Sequence, residues 1–202
     1  MNPLEITAFI LIVITSMVIL IFRDWRINAI ALGLQYIAAF YLVTLSWPVG
    51  LSVVKLIVGW MATAAIALTC LRQLPPHQSA EPTTEFVFRG VAGLLVILVI
   101  FVLAPGLAEN VFPNVDFQII QGGLMLMGMA LMQIGTNAIP YLTIISLLSL
   151  LAGFEVIHSA LEQSTLLTGL LVIVNLGLAL VGVYFVTQSS EQDEQSLKEV
   201  EE

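Results

Sequence analysis

The strongest constraint on this chain is a set of seven apolar stretches of roughly twenty residues, separated by short polar breaks. They cover residues 4–22, 27–46, 51–71, 86–104, 117–135, 141–157 and 166–187. A helix rises about 1.5 Å per residue, so about twenty residues cross the roughly 30 Å hydrocarbon layer of a bilayer. In lipid the backbone must satisfy its own hydrogen bonds, and continuous apolar runs do so as helices. Barrel strands would alternate apolar and polar residues, and these runs do not. The composition agrees: 59% of residues are hydrophobic and 10% charged, too little charge to cover a soluble domain. The fold class this predicts is all-α, a polytopic integral membrane bundle of seven transmembrane helices. It forms a single domain over residues 1–187, followed by an acidic cytoplasmic tail, 188–202, whose polar composition predicts disorder or a loose helix.

The breaks carry their own signals. "RDWR" ends the first stretch, and "WPVG" ends the second with a turn at Pro48 and Gly50. The three prolines of "RQLPPHQSAEPTTE" exclude regular helix and read as a solvated loop. Pro105 and Gly106 are expected to close the fourth span, and "ENVFPNVD" to form a polar loop after it. The N-terminal "MNPLEITAF" lacks the basic region of a secretory signal, so its apolar run is expected to stay as the first helix. Orientation follows from arginine placement. Arg23 and Arg26 lie between the first two spans, and Arg72 and Arg89 flank the third connection, whereas the connections after spans two, four and six carry neither arginine nor lysine. The N-terminus is therefore expected outside and the C-terminus in the cytoplasm.

Several functions are disfavoured. The net charge of −8 comes largely from the last fifteen residues, and nucleic acid would require a basic patch. Cys70 is the single cysteine, which leaves no disulfide framework or thiol-rich metal site and suggests a packing role. His77 and His158 fall on opposite predicted sides and cannot share a metal. The sequence holds no His-Glu-x-x-His, phosphate loop or Cys-x-x-Cys. No catalytic residue, cofactor or metal is expected, and the chain is not expected to be an enzyme. Its expected surroundings are the lipid bilayer and other membrane subunits.

Trp25 and Trp47 lie at span ends and are expected at the headgroup level, with Trp60 nearer mid-span and packed. Ala29 with Gly33, and Ser149 with Gly153, are small residues spaced by four that let helices approach. "QGGLMLMGMALMQ" sets Gly122, Gly123 and Gly128 beside four methionines, a pliable surface for a partner helix.

Candidates for an ion or proton pathway are the polar residues inside the spans, because these are costly in lipid and face bundle interiors. They are Gln35, Lys55, Gln121, Gln133, Glu155, His158 and Asn175. Lys55 is four residues into its span and is expected to snorkel to the outer surface. The alternative is a buried pairing with an acid such as Glu5. Glu155, His158 and Glu162 share a helical face at i, i+3 and i+7. Glu155 lies about 22 Å along the helix axis from Pro140. This places it in the outer third of the bilayer, with His158 near the headgroups and Glu162 in the loop. Such a trio marks the outward exit of span six, or else a proton-passing carboxylate beside a histidine. Asn175, near the midplane, is expected to bond a neighbouring helix.

The last seventy or so residues, with a Gly-rich span, a short turn, a span holding "AGFE" and then "LLTGLLVIVNLGLALVGVYF", resemble the three-helix subunit K of NADH-quinone oxidoreductase. The resemblance extends to the C component of the related antiporters and to the C-terminal part of membrane-bound hydrogenase component E. It implies a non-catalytic membrane-arm subunit beside proton-translocating partners, with Glu155 matching the acid of the family's second helix. The family's second acid has no counterpart here, since the positions around Ile173 to Asn175 offer only an amide. The functional expectation is therefore a structural or coupling subunit of a larger membrane complex, with a self-contained small transporter or channel using Glu155 as the alternative. Reporter fusions test the topology: an N-terminal tag should be active outside and a C-terminal tag in the cytoplasm. Two tags on one face would overturn the odd number of crossings.

Overall fold

The computed structural model describes residues 3–73, 83–136, 139–162 and 164–201. Its elements are α1 (Pro3–Ile21), α2 (Trp25–Thr44), α3 (Val49–Gln73), α4 (Thr83–Asn110), α5 (Phe117–Thr136), α6 (Pro140–Leu161) and α7 (Thr165–Glu201). All seven are long and apolar enough to cross a membrane, and no strand occurs among the described residues. Local chemistry places the helix ends. Asp24 caps α2 by accepting the Arg26 backbone N–H at 2.9 Å, which satisfies one of the donors a helix start leaves free. Pro140 begins α6, where its missing N–H costs nothing.

Three helices make the interior. In α2, α5 and α6 just over half of each apolar window is buried (56%), against 17% for α4. Helix α2 packs on α1, α3, α5 and α6, while α7 closes the bundle against α3 and α6. Helix α4 lies outside, against α5 and α1. Two apolar clusters fill the core, one around Tyr36, Tyr141 and Leu148, the other around Leu42, Met125 and Leu126.

The glycine–methionine face of α5 does pack on partner helices, and these are helices of the same chain. Gly122 faces Leu42 of α2, Gly123 faces Ile157 and Gly153 of α6, and Gly128 faces Ile100 and Val96 of α4. Met125 and Met129 are fully buried. Packing on α6 is the reason: a Cβ on Gly153 would lie 2.7 Å from the Gly123 carbonyl oxygen and 2.8 Å from Leu126 Cβ. A Cβ on Gly33, by contrast, would meet nothing within 4 Å, so the absence of a side chain there is not what lets a neighbouring helix approach.

Other boundaries also move. Pro105 and Gly106 do not end the fourth helix, which runs on to Asn110. A proline inside a helix removes one backbone bond, and apolar helices of this kind tolerate it. Of the two states expected for the tail from residue 188, disorder or a loose helix, the structure has the helix, which continues α7 to Glu201. After Gly182 neither glycine nor proline interrupts the sequence, and its Glu, Gln, Lys and Leu content favours helix. The loop expected over "RQLPPHQSAEPTTE" falls largely on residues 74–82, outside the described residues. The tryptophans exchange roles: Trp25 and Trp47 are buried, whereas Trp60 is half exposed and donates to the Gly33 carbonyl.

Replacing Gly153 with leucine should destabilise the bundle by about 1–3 kcal/mol or more through overpacking. Gly33→Ala, with open space around it and better helix propensity, should be neutral or stabilising. Thermal unfolding of both variants in detergent checks the contrast; equal effects would refute the α5–α6 contact.

Candidate functional site

The ends of the bundle differ in chemistry. At the arginine-bearing end, Glu85 accepts from Arg23 at 3.3 Å and from Arg89 at 3.0 Å. Arg89 is buried and also donates to the Ile21 carbonyl. Tyr141 donates its hydroxyl to the Arg23 carbonyl. Together these contacts tie α1, α4 and α6 at one end. Toward the middle, Gln35 on α2 donates to Ser16 on α1 at 2.9 Å and accepts from Ser149 on α6 at 2.8 Å. Gln133 on α5 donates to the Ile19 carbonyl at 2.7 Å. These buried amides are satisfied by direct bonds between helices, as buried polar groups must be.

Nearer the opposite end lies a buried ion pair. Lys55 Nζ on α3 is 3.8 Å from Glu155 Oε2 on α6 and 3.5 Å from the Glu155 carbonyl oxygen. Both side chains are less than a tenth exposed. Three further residues frame them. Trp47 lies beneath the ammonium, 5.2 Å from Nζ to ring centroid, and is fixed by its indole N–H donating to the Ser159 carbonyl at 2.6 Å. A ring face toward a desolvated ammonium adds attraction that the long ion-pair distance alone does not supply. Asn175 on α7 donates to the Tyr36 hydroxyl at 3.4 Å and faces the Glu155 carboxylate. Tyr36 reaches this point because its ring lies directly on Gly59, where a larger residue would displace it. A cavity of about 10 Å³, with room for a single water, is bounded by Tyr36, Lys55, Ala152 and Glu155 among others.

Of the sequence candidates, the structure brings Lys55, Glu155 and Asn175 together. Lys55 does not snorkel, nor does it meet Glu5; it turns inward to Glu155, while Glu5 accepts from Gln118 on α5. Glu155 is not at a water-exposed exit, because α6 continues to Leu161 and the Lys55 charge compensates it inside the bundle. Glu162 does fall at the end of that helix, as its exposed C-terminal cap. His158 stands one turn beyond Glu155 with its ring near Phe154, and its Nδ1 is buried with no hydrogen-bond partner. It makes no bond to the pair. Asn175 bonds another helix as expected. Tyr36 and Trp47 were missed: a tyrosine inside an apolar span reads as packing, and a tryptophan at a span end reads as an interfacial anchor. Among the described residues no group of three His, Cys, Asp or Glu side chains could hold a metal. The chain matches no family model, no curated protein and no solved structure.

Removing one partner strands the other charge, so Glu155→Gln or Lys55→Met alone should cost about 3–5 kcal/mol. The double variant should recover most of that loss. Unfolding of the three variants in detergent supplies the cycle; additive single losses would mean that the pair does not couple.

Proposed function

We propose that this chain is a multi-pass membrane protein whose Lys55–Glu155 pair handles protons, and that it works as a coupling subunit of a larger membrane complex. The observation that carries the reading is the pair itself, an acid on α6 and a base on α3 that meet inside the bundle. An ionisable residue within membrane-spanning helices is expensive and is a functional-site hypothesis by default. Transfer of one proton from the ammonium to the carboxylate neutralises both groups without changing the net charge. The pair therefore has two states of equal net charge, ion pair and neutral pair, whose balance depends on separation, and a small movement of α3 relative to α6 would shift it. Elements repacking by 1–2 Å are the usual means by which such switches are driven.

The size of the site narrows its cargo. Pockets for organic ligands typically enclose about 300–1,000 Å³, far more than the cavity of about 10 Å³ beside the pair. That space suits a proton or a water, not a metabolite.

Three features support the subunit reading. The helices are joined by short connections that leave little of the chain to act outside the bilayer. Helix α7, at about 55 Å, is much longer than the roughly 30 Å hydrocarbon layer, so its acidic end extends past the bilayer as a docking element. The resemblance of the last three helices to subunit K of NADH-quinone oxidoreductase and its relatives points the same way. By the arginine rule the N-terminus is outside and the acidic end of α7 is cytoplasmic. A self-contained small transporter is the second reading, favoured by a further set of buried polar residues inside the same bundle, Gln35, Ser16, Ser149 and Gln133.

Mild-detergent pull-down with mass spectrometry and proton flux in liposomes separate the two. The coupling reading expects co-purifying membrane subunits and no flux through the chain alone. It also expects loss of proton translocation by the complex in Glu155→Gln. Flux through the isolated chain that Glu155→Gln abolishes would establish the transporter instead, and an unaffected complex would remove the proton role.

A further inference from the structure

The pair leaves unexplained a cleft between α3 and α7 at the arginine-bearing end. It encloses about 300 Å³ and is lined by Leu68, Thr69, Arg72, Gln73, Val183 and Thr187. Both helices run toward this end, and the lining changes in the same order along each. Leu68 and Val183 come first; Arg72 and Thr187 follow four residues later, one turn nearer the end. The walls thus pass from apolar to polar in step. The Thr69 and Thr187 hydroxyls donate to Ala65 and Val183 in their own helices. Arg72 is exposed, supplies the cleft's positive charge and forms no ion pair with a described residue. One turn beyond Thr187, on the same stripe of α7, stands the exposed carboxylate of Glu191.

Apolar, then cationic, then anionic is the complement of acyl chain, phosphodiester and ammonium. We propose that the cleft binds one phospholipid with a primary-ammonium headgroup. Its phosphate lies on Arg72, its glycerol and first methylenes beside Leu68 and Val183, and its ammonium toward Glu191. Free phosphate has no use for the apolar end. An anionic glycerol headgroup would meet Glu191 with like charge, and a quaternary ammonium has no N–H to donate to it. The site does not involve the Lys55–Glu155 pair and stands whether or not that pair handles protons.

The test is native mass spectrometry of the protein released from bilayer discs containing equal parts phosphatidylethanolamine, phosphatidylcholine and phosphatidylglycerol. The expected result is one retained phosphatidylethanolamine per chain. Arg72→Ala should lower its occupancy about tenfold, the value of one charge-assisted hydrogen-bonded contact. Arg72→Lys, which keeps the charge, should retain most of it, and circular dichroism establishes that each variant is folded. Glu191→Gln should keep a bound lipid but lose the preference for phosphatidylethanolamine over phosphatidylglycerol. Retained lipids in the proportions of the discs, or a folded Arg72→Ala with wild-type occupancy, would overturn the site.

Discussion

An ammonium and a carboxylate buried between helices must neutralise each other, and one end of this bundle is arranged around that requirement. Neither Lys55 nor Glu155 could remain charged alone in so dry a setting. Their contact joins α3 to α6 although a hundred residues separate them in sequence and each of the two helices packs on α2 and α7. Trp47 and Asn175 then bring the second connection and α7 into the same cluster. Four helices and one loop meet at a point where apolar packing alone would have been cheaper.

Below that cluster the polar chemistry changes character. Gln35, Ser16 and Ser149 bond one another directly, and the space between them has no room for water. Their bonds fix the rotation of α2 against α1 and α6, because an unpaired buried amide is costly. The close approach of α5 and α6 at Gly123 and Gly153 adds the steric half of the same specification. Between the Gln35 bonds and the glycine contact, α2, α5 and α6 form the most buried part of the bundle. Helices α3 and α7, which carry Lys55 and Asn175, pack on its side.

The number of helices was legible in the sequence because long apolar runs have one way to satisfy their backbone. The ends of those helices were less so. Pro105 looked like a stop, but a single missing donor does not end an apolar helix of this kind, which runs on to Asn110. For residues 188–201 the composition left disorder and helix both open; they hold no breaker and carry α7 onward. The site was legible as a set of residue types. Lys55, Glu155 and Asn175 stood out because each is expensive where it lies. Their meeting was not legible: depth along one helix says nothing about which neighbour faces it. The same blindness sent Trp47 to the interface and left Tyr36 unnoticed.

Residue order alone dictates an all-helical chain, seven helices fit to cross a membrane, and a few polar groups lying inside them. These follow from hydrogen-bonding and transfer costs that each segment incurs alone. Packing settled the rest: Lys55 turns inward rather than outward, the methionine–glycine face is interior, and Arg72 shares a cleft with Thr187. Those outcomes depend on how the helices are rotated and which of them touch. Rotation and contact are properties of the packed bundle, carried by no single segment.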